Sequence, residues 1–318
     1  MKHSGHDEAW RAWRTALAGP RMHHAWLLAG KRGIGKIEFA RAAARELVAE
    51  EGAQQPAGEH PDILLLTHLP ANADEERKKA DGKPWQAKRN IAVDQIRAMQ
   101  QRLTTRPTLG ARRAIIIHPA DDLEKSAANA LLKSLEEPPE GSFFLLVAHR
   151  PGRLLPTIRS RCRVLRFAEA PASEVEAFLA HEMPEADGET RALAARVAGG
   201  SPGVALEFVE HNLAPLHALM LRILREGDSG FELRGALAEA MGARPARNRQ
   251  LAAIELARSV IAQEMREAER ARLPGIISAH DELNRLAGQA TTYNFDPGLL
   301  VMEIGTLLAS AAMPRETA

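Results

Sequence analysis

The stretch Ala25-Trp26-Leu27-Leu28-Ala29-Gly30-Lys31-Arg32-Gly33-Ile34-Gly35-Lys36-Ile37 runs from a short apolar segment through a glycine-rich loop into a helical pattern. From Gly30 onward the loop fits the phosphate-binding pattern G-x-x-x-x-G-K-[ST] up to its last position. There Ile37 replaces the hydroxyl that would hold magnesium. Small residues in such a loop let backbone N–H groups converge, and the helix that follows adds positive potential at its N-terminus. A strand, this loop and a helix in succession predict an α/β fold built on a parallel sheet.

The same alternation extends outward. Apolar runs of strand length recur at Ile63 to Leu66, Ala114 to Ile117, Phe143 to Ala148 and Val164 to Phe167. Helical patterns lie between them at Lys36 to Glu51, Val93 to Leu103 and Ser126 to Glu137. Strands apolar on both faces and alternating with helices predict a sheet covered on both sides. Upstream, Trp10, Trp13 and Leu17 share one helical face, which fits core packing. After Phe167 only helical patterns remain: Ser173 to Met183, Glu189 to Ala198, and a further helix started by Gly199-Gly200-Ser201-Pro202-Gly203. Five longer segments follow, at Leu213 to Arg225, Phe231 to Met241, Arg247 to Arg272, Ile276 to Ala290 and Gly298 to Ala312. The expected division is an α/β domain over 1–167, a small helical domain over 168–209 and an all-helical domain over 210–318.

At 318 residues, 45% hydrophobic and 26% charged, the chain has room for two or three domains. Forty-two basic against forty-one acidic side chains leave a net charge of +1, so no global field favours free-standing binding to nucleic acid. The single cysteine, Cys162, excludes an internal disulfide framework. Met1 to Trp13 carries no apolar signal core, and no run approaches the roughly 20 apolar residues of a membrane span. These features predict a cytoplasmic protein without membrane contact. The stretch Asn72 to Asn90 is crowded with charges of both signs, which favours a solvated excursion over a face that meets DNA. The mixed arginines and glutamates between Arg249 and Arg272 suggest a solvated helical face.

Hydrolysis of a nucleotide asks for more than the loop: a Ser or Thr on the metal, and acidic residues at a strand end to hold magnesium and orient water. Ile37 and His118-Pro119 stand where these are needed. Histidine is a poor partner for hard magnesium and proline offers no ligand. Asp121 and Asp122 are candidates for displaced ligands, but at a loop-to-helix boundary carboxylates more often start a helix. No histidine or cysteine pair has zinc-site spacing, and a satisfied or exposed role suits all twelve histidines.

The run Asn129-Ala130-Leu131-Leu132-Lys133-Ser134-Leu135-Glu136-Glu137-Pro138-Pro139, then Phe143-Phe144-Leu145-Leu146, then Ile158-Arg159-Ser160-Arg161-Cys162, is far more specific. It resembles the clamp-loader subunits of bacterial DNA polymerase III, in the AAA+ superfamily. The specific motifs cover the first 167 residues, and domain order covers the rest. Ile37 and His118-Pro119 depart from the ATP-hydrolysing gamma/tau members. Gly19-Pro20-Arg21-Met22-His23-His24-Ala25 and His60-Pro61-Asp62 look like the delta-prime branch.

The resemblance implies an AAA+ type parallel sheet covered by helices, a small three-helix lid and a helical collar for oligomerisation. It implies a non-hydrolysing stator that helps load the sliding clamp at primer-template DNA, bound to gamma/tau and delta subunits. Arg161 would be an arginine finger for the neighbour's ATP, with Ser160 and Cys162 setting the backbone and packing around it. The plainer alternative is that Arg161 pairs with a local carboxylate. Cys162 has no identifiable base beside it, so a nucleophilic role is not expected. Gly30, Gly33, Gly35 and Lys36 would form a vestigial phosphate loop, with no cofactor expected and weak binding of ATP or another anion left open. Many relatives carry a cysteine-ligated zinc module after the first phosphate-loop helix; Glu50 to Pro61 has no cysteine, so zinc is expected to be absent. The rivals are an ATP-hydrolysing subunit of the gamma/tau type, with Asp121 or Asp122 on magnesium, and a nucleotide kinase that shares only the loop.

Overall fold

The computed structural model describes residues 6–49, 56–290 and 295–312. The chain divides into two compact units, Met1–Ala170 and Pro171–Ala318.

In the first unit, strands β1 (Ala25–Ala29), β2 (Ile63–Leu66), β3 (Arg113–Ile117), β4 (Ser142–Ala148) and β5 (Arg163–Arg166) form one parallel sheet in the order β2-β3-β4-β1-β5. Period-two alternation sends the two halves of each strand to opposite layers. Leu27, Ile115, Ile117, Phe144 and Leu146 pack with the helices α4 (Val93–Leu103) and α5 (Lys125–Glu136) through Ile96, Met99, Leu131 and Leu135. Trp26, Leu28, Ile116, Leu145 and Val147 pack on the other side with α1 (Asp7–Leu17) and α2 (Lys36–Val48). Trp13 is fully buried there, its ring 5.4 Å from Trp26, in the core role expected for the first helix. The expected parallel sheet covered by helices on both faces is present. Glu50 and Glu51, expected to extend α2, lie outside the described residues, as does half of the segment in which zinc was considered.

The charged stretch after β2 is largely exposed, as expected, but it is not a plain loop. It contains α3 (Ala73–Ala80), capped by the Asn72 side chain, which accepts from the N–H groups of Asp74 and Glu75 at 3.0 Å. Glu75 turns inward, accepting from Lys78 at 2.7 Å and from the Gln86 N–H at 2.7 Å, and so ties the returning chain to the helix. A short bridge between Pro70 and Ala87 closes the excursion. Between β4 and β5 the chain also uses α6 (Pro156–Arg159), one turn long, immediately before the Ser160-Arg161-Cys162 run.

The second unit is helical throughout its described residues. Helices α7 (Ala172–Glu182), α8 (Gly188–Val197) and α9 (Pro202–Glu210) pack on one another. Gly199 and Gly200, both with positive φ, turn the chain after α8, and the Ser201 side chain caps α9 by accepting from the Val204 N–H at 3.3 Å. Helices α10 (Ala214–Glu226), α11 (Glu232–Met241), α12 (Arg247–Glu267), α13 (Leu273–Ala290) and α14 (Pro297–Ser310) form the remainder. The sequence reading carried α12 on to Arg272; the helix stops at Glu267 because Arg272 folds back to Glu264 at 2.6 Å, turning the chain into α13. Arg258 likewise reaches Asn284 of α13 at 2.7 Å, so the expected solvated face is partly an inter-helix seam. A buried pair, Arg234 and Asp228 at 2.8 Å, is completed by a bond from Arg234 to Thr306 of α14 at 3.0 Å. Among the described residues no helix is long and apolar enough to cross a membrane.

Candidate functional site

The phosphate loop lies where expected, at the C-terminal end of β1 and the start of α2. Gly33 and Gly35 have φ of 77° and 85°, a conformation that L side chains rarely adopt. Gly30 is needed for a different reason: a Cβ there would fall 2.6 Å from Ile34 Cδ1 and 2.8 Å from the Phe167 carbonyl oxygen. Lys36 is only 2% exposed. Its ammonium donates to the carbonyl oxygens of Gly30, at 2.7 Å, and Lys31. The cation therefore closes on its own loop. Burial pushes Lys36 down to about 8, against the opposing pull of Asp121 and Glu38. At the other side of the loop the His6 ring nitrogen Nε2 lies 2.5 Å from the Ile34 carbonyl oxygen, and the ring packs edge-on against Phe167 at 4.8 Å.

At the end of β3, where an acidic pair would hold magnesium, stand His118 and Pro119, and the end of β4 carries His149. The two imidazoles meet at right angles with centroids 5.4 Å apart. Burial first, then the charge of Lys36, pushes both down to about 4, so both are neutral at pH 7. The Nδ1 atoms of both are buried without a hydrogen-bond partner, a departure from the satisfied or exposed role expected of all twelve histidines. His23 and His24 do meet that expectation, and His24 Nε2 lies 2.9 Å from the Leu135 carbonyl oxygen at the end of α5.

Asp121 and Asp122 do not start a helix, contrary to the sequence reading. They sit in a single 3₁₀ turn, Ala120–Asp122, and Glu124 precedes the first turn of α5. Asp121 is buried and accepts from the N–H groups of His149 and Arg150 at 2.9 and 3.0 Å. It thus clamps the turn after β4. Asp122 faces His68 at 3.4 Å and Arg153 at 3.9 Å. Asp62, of the His60-Pro61-Asp62 run, is fully buried and accepts from the N–H groups of Thr108 and Leu109 at 2.6 and 2.8 Å, with Arg113 3.5 Å away. That run therefore braces the entry to β3. Among the described residues no group of three or more His, Cys, Asp or Glu side chains could hold a metal ion.

The Ser160-Arg161-Cys162 run follows α6 and leads into the edge strand β5. Ile158 is fully buried, and Cys162 packs half-buried against the same core cluster. These two apolar anchors leave the residues between them outside. Burial pushes the Cys162 thiol up to about 12, so it remains protonated and unreactive at neutral pH. Ser160 is exposed, its hydroxyl donating to the Thr157 carbonyl oxygen at 3.1 Å. Arg161 donates through one terminal nitrogen to the same carbonyl at 2.9 Å. Its other terminal nitrogen pairs with Glu136 at 2.5 Å, the local partner weighed as the plainer alternative. Glu136 lies 25 positions upstream in the Leu135-Glu136-Glu137 run, and no periodicity linked it to Arg161.

The first 167 residues and the α/β unit also bear comparison with known proteins. A family model described as "DNA polymerase III, delta subunit" matches residues 5–171. The delta' subunit of DNA polymerase III from Pseudomonas aeruginosa is 35% identical over 203 residues, which cover 59% of this chain and 56% of that protein. The delta' subunit from Escherichia coli is 33% identical over 202 residues, with coverage of 60% and 55%. The gamma/tau subunit of DNA polymerase III from Mycobacterium bovis is 32% identical over 206 residues, 63% of this chain and 34% of that one. The matched region thus spans little more than half the length of the delta' relatives. A solved structure of a DNA polymerase III gamma subunit-related protein from Thermotoga maritima is 21% identical with a TM-score of 0.47, covering 95% of this chain and 99% of that one. With its family match over the whole α/β unit and delta' proteins among its relatives, the chain belongs to the DNA polymerase III delta-subunit family.

Proposed function

We propose that this chain is a non-hydrolysing delta' subunit of a cytoplasmic DNA polymerase III clamp loader. In that role it assembles with gamma/tau and delta subunits and helps load the sliding clamp onto primer-template DNA. Its contribution to chemistry is Arg161, lent in trans to the ATP site of the adjacent subunit. Guanidinium suits the task because it stays charged at any working pH and its fork matches phosphate oxygens. Supplied from a neighbour, it stabilises the charge that develops on the transferring phosphoryl group. Helices α7 to α9 would serve as the lid and α10 to α14 as the oligomerising collar.

The observation that carries this reading is the contrast within one unit. Lys36 is spent on the carbonyls of its own loop, beside an apolar Ile37 and a neutral His118, whereas Arg161 stands at the surface in an intact Ser160-Arg161-Cys162 run. The donors around the loop do not match a magnesium nucleotide, so no hydrolytic step is assigned to this chain. Replacing Arg161 by Ala should depress clamp- and DNA-stimulated ATP hydrolysis by the assembled complex about tenfold while leaving assembly intact. Unchanged turnover removes the finger role. The similarity to a gamma/tau subunit favours a second reading, an ATP-hydrolysing subunit. Steady ATP turnover by the purified chain, abolished by Lys36→Ala, would establish that reading instead.

A further inference from the structure

Arg161 is held by two groups from different elements, each terminal nitrogen of its guanidinium giving one of its two N–H groups to a local partner. A phosphate drawing the guanidinium toward a neighbour competes with these two bonds, and above all with the charge-assisted one to Glu136. The Thr157 carbonyl is part of the same turn as Arg161 and moves with it. Glu136 belongs to α5, whose end is fixed by His24 on the Leu135 carbonyl and by Leu131 and Leu135 in the core. Ile158 and Cys162 anchor the finger turn in that same core, so the carboxylate and the guanidinium are brought together by two rigid supports.

Glu136 is also an unfavourable residue for its helix. It is the last residue of α5, where the negative end of the helix dipole disfavours a carboxylate. The pairing with Arg161 compensates for that placement. The pair is open to solvent, with 35% of the Arg161 side chain and 48% of the Glu136 side chain exposed. An ion pair of that kind is weak enough to exchange.

We propose that Glu136 is a positioning residue that keeps Arg161 in reserve, its carboxylate competing with the neighbouring subunit's nucleotide phosphate for the same guanidinium. This rests on the finger role of Arg161 proposed above. In the free chain Glu136 neutralises the finger and holds it against α5. When the adjacent triphosphate arrives, the phosphate oxygens replace the carboxylate, whose charge also repels the incoming anion. Glu136 thereby sets how much nucleotide the neighbouring site needs before the finger engages.

The test uses the assembled clamp-loader complex with clamp and primed DNA, and reads KM for ATP and kcat separately. Glu136→Gln should lower KM about two- to fivefold, the span of an exposed ion pair, with kcat little changed. Glu136→Asp should restore the wild-type KM in part, and Glu137→Gln, one residue along, should leave it unchanged. In an Arg161→Ala background, Glu136→Gln should have no effect. The thermal stability of the Glu136→Gln chain should equal or slightly exceed that of the wild type, which separates the effect from damage to α5. A KM that stays constant or rises in Glu136→Gln, with turnover still dependent on Arg161, overturns the reserve role and leaves the finger standing. An equal fall in KM with and without Arg161 also overturns it, since the carboxylate would then act by its field alone. If Arg161→Ala itself changes nothing, the finger reading fails and the reserve role fails with it.

Discussion

Lys36 and Arg161 flank two paired strands, one following β1 and the other preceding β5, yet they dispose of their charge in opposite ways. Lys36 is 2% exposed and bound to the carbonyls of its own loop. Arg161 keeps a third of its side chain in solvent and takes a single, exchangeable carboxylate. The glycine geometry that admits phosphate is present around Lys36, with Gly33 and Gly35 in the left-handed region. Backbone geometry alone therefore does not decide what a phosphate loop handles; the partner given to its cation does. A lysine that finds carbonyl oxygens inside its own turn has little reason to leave them for a ligand that brings no metal partner.

The contrast breaks most sharply in the assembled complex. Arg161→Ala should cost about tenfold in stimulated ATP turnover, whereas Lys36→Ala should stay within about twofold of wild type. Equal losses for the two would make the loop as functional as Arg161 and remove the contrast. The next largest effect concerns the brace beneath the loop. Asp121→Ala removes a buried carboxylate that accepts two backbone N–H groups, leaving both donors unsatisfied. It should lower stability by about 2–3 kcal/mol, read in denaturant unfolding. A loss below about 0.5 kcal/mol would show that the turn after β4 does not depend on it.

Acid should sharpen the difference further. His118 and His149 sit near 4 in the folded chain, against an ordinary value of 6.5. As pH falls below about 6.5 the unfolded chain takes up protons that the folded one refuses, so stability is complete above that point and falls progressively toward pH 4. Burial accounts for most of that resistance; of the charged groups facing His118, Lys36, His68 and Arg41 oppose its protonation and Asp121 favours it. Unfolding of His118→Gln followed between pH 7 and 4.5 should show a visibly flatter decline than wild type. A parallel decline would mean that His118 takes its proton while folded. The smallest effect is expected from His6→Ala, which removes the ring from Ile34 and Phe167 and should cost about 1 kcal/mol.

Much of the α/β unit was legible because its strands are continuous apolar runs and its helices keep a clear apolar face. β1, β2 and α4 have the bounds that those patterns gave, β3 and β4 start one residue earlier, and β5 is shifted by one residue at both ends. What stayed hidden depends on where individual polar side chains point. α3 was read as loop because charge swamps its periodicity; it forms because Asn72 caps it and Glu75 turns inward to hold Gln86. Asp121 was read as a helix starter because adjacent carboxylates at a boundary usually are, but the open N–H groups of His149 and Arg150 lay within its reach. The residues of the loop were legible from spacing, whereas Arg161 stood out only through the resemblance of its Ser160-Arg161-Cys162 run to a known family. The local partners were not: Lys36 finds carbonyls, and Arg161 finds an acid 25 positions away, through contacts that only the folded chain creates.

The packing at Gly30 has one more effect. Its bare Cα is what lets the end of β1 lie against the Phe167 carbonyl at the end of β5, the strand that follows Arg161. A methyl group at Gly30 would wedge these two strand ends apart, and the displacement would be transmitted along β5 toward Arg161. The first glycine of the loop thus serves as a spacer for the neighbouring strand, a demand for glycine that holds whether or not a phosphate ever enters the loop.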